Sequence, residues 1–336
     1  MNTQIMQNKD LMLYKNTQIK IGNKIIKSNI MLAPMAGITD VVLRSQIRKY
    51  NPHCLLVTEM LSSEALVNNP NAEILQSKPE ETPLAFQLSG HKPNLMAKAA
   101  KIIEHKADFI DINMGCPVNK VIKGGDGSAL MKTPNVASDI VKAIKDNVNL
   151  PVTVKFRLGW TSETKNYVEF GKLMEESGAD AITIHARTRS QMYSGSADWE
   201  AISKLKQEVN IPVFANGDIK DIQSACRCLE LSKADGIAIG RGALGNPFLF
   251  KQLQHYFDTN EILPEPTLAE KISMLKEHLQ EEINLRGELN GIKFFRKFYP
   301  YYIRCLKNSA GYRYILITEE NHKNILDTLD KILQDG

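Results

Sequence analysis

No stretch of this 336-residue chain approaches the ~20 consecutive apolar residues that a membrane-spanning helix requires. A helical membrane protein is therefore not expected. The opening residues, MNTQIMQNKDLMLYKN, lack the apolar core of a secretory signal. Cysteine is sparse and odd in number: five residues, with no pair at the spacing of a redox CxxC or a zinc site. Cys226 and Cys228, two apart in IQSACRCLEL, should point to different faces of a helix. These absences argue against a disulfide framework and a metal centre and favour a reduced, cytoplasmic protein. Excess charge of one sign is missing too. The 42 basic and 38 acidic residues leave only +4, so any nucleic-acid surface has to be a local patch. Finally, no GxGxxG turn follows an early strand, which counts against a doubly wound dinucleotide-binding sheet.

What is present is a repeated unit. Short β-branched runs recur eight times, each closed by a polar or glycine-marked turn and followed by a helical pattern. They are NIMLA from Asn29, CLLVTEM from Cys54, PLAFQLS from Pro83, FIDINMG from Phe109, VTVKFRL from Val152, AITIHAR from Ala181, PVFANGD from Pro212 and GIAIGRG from Gly236. Their starts lie mostly 24 to 30 residues apart, and one longer interval holds the glycine-rich KGGDGSALMKTP. Eight such modules over roughly 250 residues predict a closed (β/α)8 TIM barrel. Ahead of it, LYKNTQIKIGNKIIKS alternates around Gly22-Asn23 and reads as a hairpin plugging the N-terminal end. Beyond Phe250 the β pattern stops. DTNEILPEP reads as a linker and the residues from Thr267 onward as helices. The chain is accordingly divided into a catalytic barrel with its hairpin, residues 1–255, and a helical tail, 256–336.

Barrel enzymes keep their chemistry at the C-terminal ends of the strands. Here those ends read Pro34-Met35-Ala36, Glu59, Gln87, Asn113 with Cys116, Lys155 with Arg157, His185 with Arg187, Asn216-Gly217-Asp218, and Gly240-Arg241. Gly217, Gly240, Gly242 and Gly245 after the last two strands suit backbone binding of a phosphate, to which Arg241 adds charge. A lysine inside the apolar run VTVKFRL must turn into the mouth, so Lys155 suits an anionic ligand edge such as that of a reduced flavin. A buried salt bridge to a carboxylate such as Glu59 is the alternative. Gln87 offers a donor and an acceptor to a pyrimidine-like edge. Cys116, on a Gly-Cys-Pro turn near Lys120 and Lys123, is placed for reactivity as a nucleophile or as a proton donor. The donor role fits a flavin reaction in which hydride and proton add to adjacent carbons.

APMAGITD, FQLSG, DINMGCPVNKV, KGGDGSALM, VKFRLGW, HARTRSQMYSG, ANGDI and IGRGALGNP together resemble the tRNA-dihydrouridine synthase family, most closely its bacterial B-type subfamily. The resemblance runs from about Asn29 to Phe250 and more loosely through the tail. It implies a TIM barrel with tightly bound FMN that reduces the uracil C5–C6 bond in tRNA, with NADPH as electron donor. FMN would be held by Pro34, Met35, Ala36, Gln87, Lys155, His185, Asn216, Gly217, Asp218, Gly240 and Arg241. Asn113 would contact the target uracil and Cys116 would be the general acid. Arg157 and Arg187 are expected on the RNA side. Two positions depart from the common family pattern: Ala186 stands where glycine is frequent, and Asp126 where a small residue is usual.

The tail offers an independent sign. Between Leu289 and Thr318 no acidic residue occurs, but Lys293, Arg296, Lys297, Arg304, Lys307 and Arg313 do. On one continuous helix the first five share a face opposite Phe295, Phe298, Tyr299, Tyr302 and Leu306, with a break expected near Pro300. This predicts a basic stripe for the RNA backbone above an aromatic packing face. Two other readings of the chain stand beside this one. One is an FMN barrel acting on free pyrimidines, which would need no such tail. The other is a tRNA-binding or folding factor with a vestigial flavin site. No protein partner is implied, and a monomer is expected.

Overall fold

Successive side chains of a strand point to opposite faces, and in this chain that alternation sorts each strand into an interior row and a shell row. The computed structural model describes residues 16–70, 73–304, 306 and 308–335. A short antiparallel hairpin, β1 (Ile19–Ile21) and β2 (Lys24–Ile26), comes first. Eight parallel strands follow: β3 (Ile30–Leu32), β4 (Leu55–Ser62), β5 (Leu84–Ser89), β6 (Phe109–Met114), β7 (Val152–Arg157), β8 (Ala181–His185), β9 (Val213–Asn216) and β10 (Gly236–Ile239). β10 pairs with β3, so the sheet closes into the expected barrel.

The interior row grades from apolar to polar along the barrel axis. Met31, Leu55, Val57, Ala85, Phe109, Ala181, Phe214 and Ala238 form one buried apolar cluster, and Ile19, Ile21 and Ile26 of the hairpin join it. The hairpin is therefore the stopper that the sequence predicts. Two residues further along the same interior rows stand Gln87, Asp111 and Thr183, with Thr153 level on β7, and two further again Asn113, Lys155 and His185; on β9 Asn216 is two beyond Phe214. The shell residues between them, such as Leu56, Phe86, Ile110, Ile112, Val154 and Ile184, belong to a second core shared with the helices.

The helices around the barrel are α1 (Val41–Tyr50), α2 (Ser63–Asn68), α3 (Pro93–Ile103), α4 (Asn119–Ile122), α5 (Pro134–Lys145), α6 (Tyr167–Glu176), α7 (Trp199–Glu208), α8 (Ile222–Ser232) and α9 (Phe248–Thr259). Cys226 and Cys228 on α8 are both buried, near Tyr256 and Ser232 respectively. Since α9 runs through positions 255 and 256, the expected division of the chain falls inside a helix; an irregular segment, 261–267, follows it.

The tail comprises α10 (Leu268–Arg286), α11 (Glu288–Phe295), α12 (Tyr299–Tyr302), α13 (Ser309–Thr318) and α14 (His322–Asp335). α10 lies against α1, and the second core continues from the barrel shell into Ile272, Leu275, Leu279, Phe295 and Tyr299 without interruption. The interruption expected near Pro300 is there. α11 ends at Phe295, and Pro300 sits in the first turn of α12, where its missing N–H costs no hydrogen bond. Phe295, Phe298, Tyr299 and Tyr302 are buried and Leu306 half-buried, as the aromatic face requires. Across this break Lys293 lies on α11, Arg296 and Lys297 on the connection to α12, and Arg304 beyond α12, so the basic residues do not share one helix face.

Candidate active site

At the mouth of the barrel, side chains from β5, β6 and β7 form a directed chain of hydrogen bonds. Thr153 Oγ1 donates to Asp111 Oδ1 at 2.5 Å, and Gln87 Nε2 donates to Asp111 Oδ2 at 2.6 Å. Asn113 Nδ2 donates to Gln87 Oε1 at 2.8 Å, and Asn113 Oδ1 accepts from the Cys116 and Gly115 N–H groups at 2.9 and 3.2 Å. An ionised carboxylate accepts only, so Asp111 fixes which way Gln87 points, Gln87 fixes Asn113, and Asn113 shapes the turn that carries Cys116. Burial raises the Asp111 pKa to about 6 despite the hydrogen bonds from Thr153 and Gln87 and the nearby Lys155.

The turn is also braced from its other side. The Cys116 carbonyl accepts from Ser128 N–H at 3.1 Å and Ser128 Oγ at 2.9 Å. Gly127 has φ +60, and a Cβ there would lie 2.8 Å from that carbonyl. Only glycine meets both demands. Asp126, the residue unusual for the loop, pairs with His91 Nδ1 at 2.7 Å. Cys116 itself is half-buried. Its cationic neighbours are Lys155 and Arg157, each close enough to feel its charge. Lys120 and Lys123, which follow it in sequence, are exposed.

Lys155 lies on the interior row of β7, opposite Asn113 of β6. It makes no hydrogen bond or ion pair among the described residues, and burial, reinforced by Arg157, lowers its pKa to about 8. The alternative partner is engaged elsewhere, for the Glu59 carboxylate accepts from the Gly37 N–H. A register shift between Val57 and Met60 bends β4 at this point, and Thr58 Oγ1 accepts the Gln87 N–H within it at 3.1 Å. His185 is buried on the interior row beside Lys155, Arg157, Arg187 and Arg241. Burial and these four cations hold its pKa well below the usual value, so the ring is neutral at pH 7.

Several expected contacts are spent inside the protein. Gln87 is fully buried and engaged at both ends, so it presents no paired edge to a ligand. Asn216 Nδ2 donates to the Ala238 carbonyl at 2.7 Å, tying β9 to β10. Asp218 Oδ2 accepts from Arg187 Nη2 at 2.7 Å and from the Ala197 N–H at 2.8 Å. Arg157 and Arg187, expected on the RNA side, are buried. Arg157 donates to the carbonyls of Gly115, Thr188 and Met192, and Arg187 to those of Ser194 and Gly195. Most donors of the two guanidinium groups are thus engaged within the protein, while Arg187 Nη1 is buried without a hydrogen-bond partner. The four glycines of the last two loops also divide. A Cβ at Gly242 would lie 2.3 Å from the Ile219 carbonyl oxygen, and one at Gly245 would lie 2.6 Å from the Tyr301 backbone, so these two serve packing. At Gly217 it would press on Ala197 and His185, whereas at Gly240 it would meet nothing nearer than 3.8 Å. Pro34 and Met35 are half-buried and Ala36 exposed at the end of β3.

One residue not singled out in the sequence is Tyr193, which is 52% exposed on the loop after β8. Its ring lies 4.8 Å from the Arg241 guanidinium, 5.6 Å from that of Arg157 and 6.3 Å from the His185 ring. An exposed aromatic ring beside two guanidinium groups offers a flat surface to another π system. The tail is also less free than its composition implied. Glu320, just outside the acid-free window, pairs with Arg296 at 3.1 Å and Lys293 at 3.5 Å. Lys297 turns inward onto the barrel. Arg304 and Arg313 remain exposed, and Lys307 lies outside the described residues.

The family model for dihydrouridine synthase (Dus) matches residues 31–335. "Probable tRNA-dihydrouridine synthase 1" of Synechocystis sp. is 40% identical over 317 residues, 94% of this chain and 89% of that protein. The "Probable tRNA-dihydrouridine synthase" of Rickettsia conorii is 43% identical over 88% of this chain and 90% of its own length. "tRNA-dihydrouridine synthase B" of Shewanella oneidensis is 40% identical over 85% and 89%. Among solved structures, histamine dehydrogenase from Rhizobium sp. 4-9 superposes with a TM-score of 0.56 at 14% identity, over 82% of this chain and 51% of that one. At that identity the likeness is one of fold alone.

Proposed function

The chain belongs to the dihydrouridine synthase family, and from that premise we propose that it is an FMN-dependent reductase of uridines in tRNA, with NADPH as electron donor. The observation that carries the reading is the meeting of Cys116, Lys155 and neutral His185 at one barrel mouth, with the lysine unpaired among the described residues. An unpaired ammonium in a cleft is costly unless a ligand supplies the anion. The same mouth fits a flavin phosphate and ring. Position 240 is open where a backbone must approach closely, Arg241 is 53% exposed on its side chain, and Pro34, Met35 and Ala36 line the adjacent rim, after the strand paired with β10. We assign FMN contact to Pro34, Met35, Ala36, Lys155, His185, Gly217, Gly240 and Arg241. Gln87, Asn216 and Asp218 shape the walls that these residues stand on.

Reduced flavin, when bound, supplies the hydride for C6 of the uracil. The Cys116 thiol donates the proton to C5, held in place by Asn113 and Ser128. Lys155 places a cation against the flavin edge that gains negative charge on reduction. A base inside an RNA stem cannot reach this depth, so the target nucleotide must flip out; the Tyr193 ring at the rim is a surface on which it can stack. Such RNA would meet the protein where it is made and processed, in the cytoplasm. Cys116→Ala should retain FMN and its reduction by NADPH yet lose at least about 100-fold in dihydrouridine formation, the lower range for a general acid. Unchanged turnover removes the cysteine from that role. A colourless protein that cannot be reconstituted with FMN points instead to an RNA-binding factor.

A further inference from the structure

Gly37, next to the rim residues Pro34, Met35 and Ala36, is gripped from two directions. Its N–H donates to the Glu59 carboxylate at the register shift of β4, and its carbonyl accepts from the Lys297 ammonium between α11 and α12. The residue has φ +71, and a Cβ on it would meet only Lys297 Nζ, at 4.0 Å. Glycine is there for backbone conformation rather than for space. The rest of the turn is closed locally, with Met35 N–H donating to Thr39 Oγ1 at 3.1 Å and the Met35 carbonyl accepting from Ile38 and Thr39 N–H at 3.0 Å each.

Lys297 arrives at this turn inside a charged cluster that spans barrel and tail. Arg286 of α10 donates to Glu282 at 2.8 Å and to Asp40 at 2.5 Å, and Asp40 caps α1 through the Leu43 N–H at 3.1 Å. The Lys297 ammonium lies 3.1 Å from the centre of the Phe294 ring, and it interacts with Asp40, Glu282 and Glu59. A solvated lysine reaching for an RNA backbone would not be folded into such surroundings. A tail residue and a carboxylate of β4 are instead spent on one glycine, next to the rim residue Ala36.

We propose that Glu59 and Lys297 are positioning residues for the flavin: by fixing the Gly37 backbone from barrel and tail, they set the rim on which FMN rests, so the helical tail completes a cofactor site on the barrel. This rests on the reading of the mouth as an FMN site. It separates two functions of the tail, one toward the cofactor and one toward RNA.

The test is FMN titration of the full-length apoprotein, followed by flavin fluorescence, together with tRNA affinity at several salt concentrations. Lys297→Met and Glu59→Leu should each raise the FMN Kd at least tenfold. Lys297→Arg and Glu59→Gln, which keep the donor and the acceptor, should stay within threefold. For Lys297→Met, tRNA affinity and its salt slope should remain within twofold of wild type. FMN affinity within twofold of wild type in both Lys297→Met and Glu59→Leu overturns the proposal. So does a loss of tRNA affinity and salt slope in Lys297→Met with FMN unaffected, since the lysine then acts on phosphate. If Lys297→Met fails to fold by circular dichroism, Glu59→Leu against Glu59→Gln decides. A wild-type protein that takes up no FMN overturns the flavin reading itself, an outcome distinct from equal binding by all variants.

Discussion

Asp111 can only accept hydrogen bonds when ionised, and every amide between it and Cys116 takes its direction from that restriction. Asp111→Leu removes the acceptor and leaves Gln87 Nε2 buried without a partner, which costs about 1–3 kcal/mol. It should also free Asn113 to turn away from the Cys116 N–H. Asp111→Asn behaves differently. Its oxygen can still accept from Gln87 while its NH2 donates to the Thr153 hydroxyl, so stability should stay within about 1 kcal/mol of wild type. What it removes is charge. The Lys155 pKa of about 8 is held up partly by Asp111, so in the Asn variant the ammonium should lose its proton at lower pH. FMN titrations from pH 6.5 to 9, beside urea unfolding, check both statements; an unshifted alkaline limb in Asp111→Asn would show that the two residues are not coupled. Lys155, His185 and Cys116 were legible in the sequence because a polar residue inside or just after an apolar strand has few places to go. Their partners were not. That Asp218 accepts from Arg187, that Asn216 donates to the Ala238 carbonyl, or that Arg157 donates to three carbonyls depends on how neighbouring strands are staggered. No single strand's pattern carries that information.

Strands and helices report through periodicity, and periodicity is local. All eight barrel strands lie within a residue or two of their expected starts, because the alternation of each is imposed by two different cores. The tail shows where such reasoning ends. Turning 100° per residue across Pro300 assumed one axis, and the segment 296–298 breaks it; the counter-charge for Lys293 and Arg296 came from Glu320, on the connection into α14. The element that holds this tail together is α10, through His278. That ring is buried between Phe295 and Phe298 and bonded to the Tyr302 hydroxyl at 3.0 Å, and burial lowers its pKa from 6.5 to about 4. The unfolded chain therefore binds a proton near pH 6.5 while the folded one does not until about pH 4. The stability present above pH 6.5 is lost as pH falls through this window, by about 3 kcal/mol in all. His278→Gln can still meet the Tyr302 hydroxyl and cannot titrate. Urea unfolding between pH 7 and 4.5 should show a slope shallower by up to one proton in this variant; identical slopes would assign the acid sensitivity to other groups.

At the scale of the whole molecule, the chain is a barrel with a graded interior, apolar at one end and polar at the other, and a tail that shares the barrel's outer core. The hairpin packs Ile19, Ile21 and Ile26 onto Phe109 and Phe214, so the axis is shut at the apolar end. A tunnel with one door imposes an order of traffic. On the function proposed above, the reduced nicotinamide and the uridine would both have to reach the site from its open polar end, since neither can come in from behind. Each visitor has to leave before the next enters. Steady-state rates measured against NADPH at several fixed tRNA concentrations should therefore give parallel double-reciprocal lines, the signature of alternating half-reactions; lines that converge would mean the two can be seated together. The stopper at the bottom of the barrel, far from any reacting atom, thus decides the kinetic order of events at the top.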